Sequence, residues 1–230
     1  MKKNKIEDKK SENVLTLSNV SYRYYDAEPD EYVLKDISLT FDEGKTYAIR
    51  GRSGSGKTTL LSLISGLETT YEGDIIYRGT NLRKIDLDEY RSRDIGIVFQ
   101  SYNLLPHLTA VENIILSMDI SKINVEDKRK KALDLMESVG LKREQGDRRV
   151  LKLSGGEQQR VAIARSLSYN PNMIIADEPT GNLDKETEDE ILQILTRLAH
   201  DENKCVIIVT HSKNVAEIVD VCYELKKNDK

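Results

Sequence analysis

The chain has 230 residues, of which 38 % are hydrophobic, and this is enough for one large domain or for one core with a subdomain. Its 35 basic and 39 acidic residues give a formal charge of -4. The protein therefore lacks the net basic field that nucleic-acid-binding proteins use, and we expect no nucleic-acid partner. No apolar run approaches the ~20 residues that a membrane-spanning helix needs. Residues 1–12 are rich in lysine without a following apolar stretch, so we expect a disordered tail rather than a secretory signal.

The first part of the chain combines strand patterns with a glycine-rich loop. Residues 14–17, 37–41 and 46–49 are strand-length runs, and the third run leads into the glycine-rich residues 51–56. The apolar spacing of the next residues predicts a helix, for which Gly66 is a suitable stop.

The middle of the chain has a helical pattern. Between residues 109 and 140, apolar residues recur at helix spacing, and Asn124 and Asp127 are suitable caps for a second helix. After residue 150, helices and strands alternate again. These later elements are predicted at residues 157–167 (helix), 173–176 (strand), 187–198 (helix), 206–210 (strand) and 221–225 (strand), with a short helix before the last. Alternation on both sides of a helical insert predicts a parallel α/β core with a helical subdomain.

The glycine-rich loop matches the pattern G-x-x-x-x-G-K-[ST] at residues 51–58, between a predicted strand and a predicted helix. Glycines let backbone N–H groups point at phosphate oxygens, and the amino end of the helix adds positive potential. Lys57 can reach the β- and γ-phosphates, and the Thr58 hydroxyl can hold Mg²⁺. A flexible glycine turn would match this pattern by chance in only about one chain in a hundred of this length. The loop therefore predicts nucleotide binding.

Two adjacent carboxylates follow the strand predicted at residues 173–176. An apolar strand that runs into Asp177 and Glu178 places both side chains at the carboxyl edge of the sheet, where ligands bind in such folds. Asp177 would orient Mg²⁺ through its water shell, and Glu178 would act as general base on the attacking water. Alone, this pattern fits a strand entering a polar turn; together with the glycine loop it predicts nucleotide hydrolysis.

Residues 153–160, Leu-Ser-Gly-Gly-Glu-Gln-Gln-Arg, resemble the LSGGQ signature of the ATPases of ABC transporters. The resemblance extends over the chain from about residue 14 onward. It implies a P-loop NTPase (RecA-like) parallel core with an antiparallel β subdomain and an inserted α-helical subdomain. We expect a single ABC ATPase domain over residues 13–230, with the β subdomain and nucleotide-binding core at about 13–90 and 150–230 and the helical subdomain at about 91–150.

The resemblance also implies how the signature works. Its residues begin a helix whose amino end can face an anion; the implied contacts are Ser154, Gly155, Gly156 and Glu157. In the family, two subunits pack head-to-tail, and each signature closes on the γ-phosphate held by the partner's glycine loop. We therefore expect a homodimer when ATP is bound.

Further positions of the family pattern are present. The resemblance implies that Tyr24 stacks on adenine, although Tyr22 or Tyr25 could take that place. The implied phosphate contacts are Gly51, Ser53, Gly54, Ser55, Gly56, Lys57, Thr58 and Thr59.

The resemblance assigns roles in hydrolysis to three more positions. Gln100 would sense Mg²⁺ and water and couple to a membrane partner, and Asp184 would communicate across the dimer. His211 would contact the γ-phosphate and act with Glu178 and Gln100 in catalysis. The implied metal ligands are Thr58, Gln100 and Asp177.

The sequence departs from the family pattern at two places. Arg50 stands where a small apolar residue usually precedes the glycine loop, and an unpaired buried charge is costly, so Arg50 must reach solvent or a carboxylate. Residues 147–152 lack the proline and glutamine that often precede the signature, which weakens any expectation about how this segment contacts a partner domain.

The chain most resembles the branch that contains the macrolide-exporter (MacB), lipoprotein-releasing (LolD) and cell-division (FtsE) ATPases. That resemblance implies an ATPase at the cytoplasmic face of the plasma membrane that drives a permease on a separate chain, in export or mechanical work on peptides, antimicrobials or lipoproteins. The alternatives are an importer subunit, a soluble ABC protein that acts on DNA or the ribosome, and an inert nucleotide-gated scaffold. The short carboxyl end, the single cassette, and the presence of Glu178 and His211 argue against these three in turn.

Overall fold

Two β-sheets organise residues 13–226, the part of the chain that the computed structural model describes. The tail predicted over residues 1–12 lies outside the described residues. A four-stranded antiparallel sheet has the order β2-β1-β4-β5, and a five-stranded parallel sheet has the order β6-β7-β8-β3-β9. The strands are β1 (Asn13–Tyr22), β2 (Leu34–Asp42), β3 (Thr46–Arg50), β4 (Glu72–Tyr77), β5 (Thr80–Asn81), β6 (Ile95–Val98), β7 (Met173–Asp177), β8 (Cys205–Thr210) and β9 (Val221–Glu224). The parallel core and the antiparallel sheet are both as expected.

Both faces of the parallel sheet are buried, which explains why its strands are continuous apolar runs rather than alternating ones. In β8, Val206 and Ile208 pack into one hydrophobic cluster, and Ile207 and Val209 pack into the other. The first cluster contains the large helices of the second half of the chain. The second contains the helix after the glycine loop and the inner face of the antiparallel sheet. The carboxyl edge of the sheet, where the predicted site residues lie, is therefore supported by a hydrophobic cluster on each face.

Seven helices lie within residues 13–226. They are α1 (Lys57–Ile64), α2 (Leu87–Glu89), α3 (Ala110–Ile120), α4 (Lys128–Ser138), α5 (Gly155–Leu167), α6 (Lys185–His200) and α7 (Lys213–Ile218), with a π-helical turn at Tyr90–Asp94 and 3-10 turns at Leu82–Lys84, Arg143–Gln145 and Val150–Lys152. Among these residues, no helix combines the length and the hydrophobicity that crossing a bilayer would need.

The helix starts are set by caps. Helix α5 begins two residues earlier than predicted because Ser154 caps it, and α6 begins earlier than predicted because Asp184 caps it. The α4 cap is Asp127, whose carboxylate accepts a hydrogen bond from Lys130 N at 2.8 Å, whereas Asn124 lies outside the helix. Of the two candidates, Asp127 alone is therefore the cap.

Helices α3 and α4 form the insert between β6 and β7. Their apolar faces pack on α5: Val111, Ile114 and Met136 share one cluster with Val161 of α5. The insert therefore continues the core on one face of the parallel sheet. The expected boundaries of the helical subdomain, at about residues 91 and 150, stay a prediction.

Candidate nucleotide-binding and hydrolysis site

The glycine loop leaves the end of β3 and enters α1 through left-handed backbone. Gly54 has φ 76° and Gly56 has φ 88°, a region that glycine adopts without steric cost. At Gly56 a Cβ atom would also lie 2.7 Å from the Leu34 side chain and 3.1 Å from the Val33 carbonyl. Position 56 therefore requires glycine for both its conformation and its surroundings.

The amino end of α1 is open to an anion. No side chain caps this helix, so its first-turn N–H groups have no side-chain acceptor. The Lys57 ammonium group donates hydrogen bonds to the carbonyls of Gly51 at 2.8 Å and Arg52 at 3.2 Å, so it curls over the loop. The Ser55 hydroxyl is buried and has no hydrogen-bond partner among residues 13–226. Free N–H groups, a cation and an orphaned hydroxyl on one loop fit the phosphates of a nucleotide.

Several predicted phosphate contacts on this loop are accessible. Ser53, Gly54 and Thr58 are exposed, and Thr59 is partly exposed. Arg50, at the end of β3, is also partly exposed and pairs in register with Glu224 of β9. The charge of Arg50 thus reaches solvent, as its position required.

Asp177 and Glu178 lie together at the carboxyl end of β7. Burial raises the pKa of Asp177, and the neighbouring Glu178 carboxylate raises it further, while the Lys57 ammonium group lowers it. The glycine loop follows β3 and the carboxylate pair stands at the end of β7, and both strands belong to the same parallel sheet. The structure therefore brings the glycine loop and the carboxylate pair to one edge of the sheet.

The Glu178 carboxylate is held on both oxygens. Its Oε1 lies 2.7 Å from His211 Nδ1, and its Oε2 accepts a hydrogen bond from Thr210 Oγ1 at 3.1 Å. The backbone of Glu178 is left-handed, with φ 43°, and its N–H donates to the Val209 carbonyl at 2.8 Å. Glu178 is mostly buried, whereas His211 is largely exposed. Glu178, the predicted base, and His211, which is predicted to contact the γ-phosphate, are therefore in direct contact.

Thr210 is a residue that sequence reasoning missed. It is completely buried, and its Oγ1 accepts a hydrogen bond from Ser212 N at 3.0 Å while it donates to Glu178. The Ser212 contact occupies a lone pair of the hydroxyl and leaves its proton for the carboxylate. The signal was available, because a hydroxyl residue at the end of a buried strand directly precedes His211.

Gln100 follows β6 and faces the loop after Glu178. Its amide nitrogen would lie 2.9 Å from a Cβ atom at Gly181. The next residues are strained: Tyr102 has φ 60° and Asn103 has φ 49°. Arg165, in the last turn of α5, donates hydrogen bonds to the carbonyls of both, at 3.1 Å for Tyr102. Helix α5 thus holds the loop that presents Gln100.

The signature begins α5 with a capping box. Ser154 Oγ accepts a hydrogen bond from Glu157 N at 3.2 Å, and Glu157 Oε2 accepts one from Ser154 N at 2.7 Å. The other oxygen of Glu157 accepts a hydrogen bond from Gln145. Both Glu157 oxygens are therefore engaged within the chain, which assigns this residue a capping role beside the nucleotide contact that was expected of it.

Asp184 caps α6 next to the signature. Its carboxylate accepts hydrogen bonds from Thr187 N at 3.0 Å and Thr187 Oγ1 at 2.9 Å, and these bonds lower the pKa of Asp184. A Cβ atom at Gly156 would lie 2.5 Å from the Thr187 methyl group, and one at Gly155 would lie 3.0 Å from the Tyr102 hydroxyl. Both signature glycines are therefore needed for close packing.

Of the three candidate tyrosines, Tyr24 has the most suitable surroundings. Tyr22 is buried and its hydroxyl donates a weak hydrogen bond to Glu68 at 3.4 Å. Tyr24 is half-exposed and packs edge-to-face on the Tyr22 ring, with centroids 5.4 Å apart. Tyr25 is fully exposed, and no ring contact holds it among the described residues. A half-exposed, supported ring is what stacking on a base requires.

The family is shown by comparison with known proteins. The family model described as "ABC transporter" matches residues 34–181. This chain belongs to the ABC transporter family. It is 43 % identical to an uncharacterized ABC transporter ATP-binding protein, YclH, of Bacillus subtilis over 94 % of each chain. It is 37 % identical to the lipoprotein-releasing system ATP-binding protein LolD of Treponema denticola, over 95 % of this chain and 98 % of that protein.

Solved structures of a related ABC cassette agree with the fold. The dimeric cassette MJ0796 of Methanocaldococcus jannaschii is 38 % identical, with a TM-score of 0.82 over 92 % of this chain and 94 % of that one. A dimer of the same cassette in a post-hydrolysis state, bound to ADP and Pi, has a TM-score of 0.83 over 94 % of this chain and 97 % of that one. The protein is accordingly an ABC ATPase, an ATP-binding cassette that hydrolyses ATP.

The signature and the glycine loop make separate polar contacts. Among the described residues, no hydrogen bond joins residues 154–156 to residues 51–58. The side-chain polar contacts of Ser154 and Glu157 lie within their own capping box and with Gln145.

Proposed function

We propose that two copies of this ABC ATPase bind ATP head-to-tail, so that each signature closes on the phosphates held by the partner's glycine loop. The likeness to the dimeric cassette MJ0796 supports the arrangement of the two copies. We also propose that each copy hydrolyses its ATP, and the observation that carries this is the Glu178 carboxylate, which Thr210 and His211 hold at 3.1 Å and 2.7 Å beside Asp177. A carboxylate fixed by two contacts at the edge of the phosphate loop is arranged to take a proton from a water molecule.

Each nucleotide-contacting residue has a role in this proposal. Tyr24 stacks on adenine, and the backbone of residues 51–59 holds the phosphates with the side chains of Ser53, Ser55 and Lys57. Thr58 and Asp177, with Gln100, would hold Mg²⁺, and their hydroxyl, carboxylate and amide oxygens are ligands that this ion accepts. Mg²⁺, when bound, neutralises charge on the phosphate oxygens.

The hydrolytic step follows from the contacts of Glu178. One carboxylate oxygen accepts the proton of water as the water oxygen attacks the γ-phosphorus and the bond to the β-phosphate oxygen breaks. Thr210 keeps the carboxylate in place, and His211, which is exposed, can turn toward the γ-phosphate when the partner's signature closes. Phosphate release then reopens the dimer.

The test replaces Glu178 with glutamine. Glu178→Gln keeps the size of the side chain but removes the base, so turnover should fall by roughly a hundredfold or more, at the lower end of what general-base catalysis contributes. The variant should still bind ATP and should form a stable ATP-dependent dimer, measured by sedimentation. ATPase activity near that of the wild type would remove Glu178 from the base role.

We further propose that the dimer drives a permease on a separate chain at the cytoplasmic face of the plasma membrane. The likeness to LolD, over nearly the full length of both proteins, supports the exporter or mechanotransmitting branch. The cargo class that this branch favours is lipoproteins, peptides or antimicrobials. An importer subunit and a soluble ABC protein are the alternatives.

A pull-down from native membranes in mild detergent tests this part. The tagged chain should bring down a permease with few membrane spans and a large outer domain, and untagged membranes treated alike serve as the control. Recovery of an importer-type permease, or of ribosomes without a membrane protein, would leave the ATPase standing and overturn the branch.

A further inference from the structure

Two exposed patches of opposite charge adjoin the predicted nucleotide contacts in the sequence. In the proposed dimer they would border the composite site, which is the site formed by the glycine loop of one copy and the signature of the other. The acidic patch, which consists of Tyr25, Asp26, Glu28 and Asp30, directly follows Tyr24. The basic patch, which consists of Arg148, Arg149, Leu151 and Lys152, directly precedes the signature. Every one of these side chains is exposed.

Each patch contains one unusually exposed large hydrophobic residue. Tyr25 is 106 % exposed and Leu151 is 70 % exposed, the two highest values for large hydrophobic side chains in residues 13–226. The charged members of both patches form no salt bridge with any other described residue. An apolar side chain beside exposed charges of one sign can serve as the core of a small contact with a polar rim, provided that the partner offers an apolar side chain and the opposite charge.

The backbone holds the basic patch in place. Val150, in the middle of the patch, is buried, and the Arg148 carbonyl accepts a hydrogen bond from Ala110 N at 3.0 Å. Val150 N donates to the Leu108 carbonyl at 3.4 Å. Leu151 and Lys152 therefore project from a fixed 3-10 turn, and a fixed surface loses little entropy when a partner binds.

We propose that in the ATP-bound dimer the acidic patch of one copy docks on the basic patch of the other. The proposal rests on the proposed head-to-tail arrangement, in which the signature of one copy closes on the glycine loop of its partner. The acidic patch flanks the adenine end of that loop's site, and the basic patch flanks the signature, so both border the same composite site. Two-fold symmetry makes the contact twice.

The charges of the two patches should favour association of the two copies. Each chain carries a formal charge of -4, so two copies repel one another at long range, and a local attraction between opposite patches orients the encounter and raises its rate. Tyr25 and Leu151 then supply apolar contact inside a charged rim. A second copy of this chain is the occupant that matches both patches at once, whereas an anionic lipid surface would match only the basic one.

The experiment reverses each patch and then both together, in the Glu178→Gln background that retains ATP. One variant carries Asp26→Lys and Asp30→Lys, a second carries Arg148→Glu and Lys152→Glu, and a third carries all four changes. Arg149 stays unchanged because its charge also lowers the pKa of Glu112. Sedimentation at low and at high salt measures the dissociation constant of the ATP-dependent dimer.

Reversing the charge of either patch alone should raise the dissociation constant of the ATP-dependent dimer roughly tenfold at low salt. Several exposed ion pairs are then lost in each of the two symmetric contacts. High salt should shrink the effect because it screens exposed charges. The combined variant should return to within about threefold of the parent, as its patches are complementary again. A matched control, Lys130→Glu with Lys131→Glu on α4, makes the same change of net charge elsewhere and reports the effect of long-range repulsion alone. The Arg148→Glu, Lys152→Glu variant should dimerise clearly more weakly than this control.

A cross-link supplies an independent measurement. In a chain with Cys222→Ser, which removes the exposed native thiol, Tyr25→Cys and Leu151→Cys single variants are mixed and treated with a short flexible bis-maleimide. Covalent heterodimers should form with ATP and not without it.

Several results would overturn the contact. If the four-substitution variant dimerises as weakly as the two separate effects together predict, the patches do not contact each other. The same holds if neither patch reversal changes the dissociation constant while the parent dimerises normally. Either result would contradict the patch contact but not the dimer. Loss of binding to phosphatidylglycerol vesicles by the Arg148→Glu, Lys152→Glu variant, with its dimer intact, would reassign the basic patch to the membrane. A Glu178→Gln parent that fails to dimerise with ATP would instead remove the proposed dimer itself.

Discussion

Helices α1 and α5 both offer an amino end to phosphate in the proposed dimer, but the two ends are built differently. The α1 end begins at Gly56 in left-handed backbone and has no side-chain cap. The α5 end begins at Ser154 and is closed by a reciprocal capping box with Glu157. An uncapped end keeps its N–H groups for a ligand, whereas a capped end is stable by itself.

The difference suggests that the α1 end binds the nucleotide of its own chain, whereas the α5 end contacts the nucleotide of the partner. The α1 end, with Lys57 above it, should carry most of the nucleotide affinity of a single chain. The α5 end is already satisfied by Ser154 and Glu157, so it can remain ordered until a partner's nucleotide arrives. Variants at the two ends should therefore alter different measurements.

The largest effect is expected at Lys57. Lys57→Ala removes the cation that curls over the loop, and a charge-assisted hydrogen bond to phosphate is worth about 1.5–3 kcal/mol. The affinity for ATP of the isolated chain should fall by roughly a hundredfold, measured by calorimetry. Lys84→Ala, an exposed lysine in a turn, is the control. Unchanged ATP affinity in Lys57→Ala would contradict the assignment of the glycine loop.

Thr210 should affect turnover without affecting affinity. Thr210→Val removes the hydroxyl that holds Glu178 Oε2, and loss of a hydrogen bond to a charged group should lower kcat roughly tenfold. The KM for ATP should change little because the Thr210 side chain bonds Glu178 and Ser212 and has no hydrogen bond to the glycine loop. Thr210→Ser keeps the hydroxyl and should recover most of the rate. Equal loss in the serine and valine variants would show that Thr210 acts through packing alone.

Glu157 should affect stability without affecting ATP affinity. Glu157→Ala opens the capping box and should lower the free energy of unfolding by about 1 kcal/mol. Glu157→Gln can still accept from Ser154 N but loses the acceptor for Gln145, so its stability should lie between those of the wild type and the alanine variant. Urea unfolding compares the three chains, and calorimetry follows ATP binding to the monomer. A large loss of ATP affinity in the Glu157→Ala monomer would show that the α5 end also contributes to nucleotide binding by a single chain, which contradicts the proposed difference between the two helix ends.

The smallest effect is expected far from both ends, at Asp220. Burial alone would raise the pKa of Asp220, but hydrogen bonds from Thr46 and from His200 outweigh it and lower the pKa. A lowered pKa means that the charged form stabilises the fold above the ordinary pKa of about 3.9 and that this contribution disappears as the pH falls through the folded value.

Asp220→Asn removes that contribution while keeping the size of the side chain. At neutral pH it should cost about 0.5 kcal/mol, a small value because the Asp220 carboxylate is partly exposed. The cost should shrink as the pH falls below about 4 and vanish once the pH lies below the pKa of Asp220 in the folded protein, as measured by unfolding at several pH values. A difference that does not shrink as the pH falls would show that the charge of Asp220 is not responsible.

The sequence was most informative where a motif coincided with an element boundary. The glycine loop, the Asp177–Glu178 pair and the signature each stand at the end of a strand or the start of a helix, and those elements were predicted with small errors. The starts of α5 and α6 were placed late because the capping roles of Ser154 and Asp184 were not used. Strands β4 and β5 were not predicted, since β4 has only a short apolar stretch and β5 has two polar residues.

Contacts between distant residues could not be predicted in the same way. The hydrogen bond from Thr210 to Glu178 depends on the parallel pairing of β7 with β8, and the two residues are 32 positions apart. The choice among the tyrosines at 22, 24 and 25 depends on which ring is buried by neighbouring strands. Such information exists only after the sheet has formed.

The left-handed backbone of Glu178 sets folding and activity against each other. A φ of 43° costs an L-residue with a side chain about 1 kcal/mol, and glycine would avoid that cost. In the proposed mechanism Glu178 is the base, so Glu178→Gly would relieve this backbone strain and also remove the carboxylate that accepts the proton of water. The glutamate at this position would thus sustain turnover at a cost to the stability of the fold.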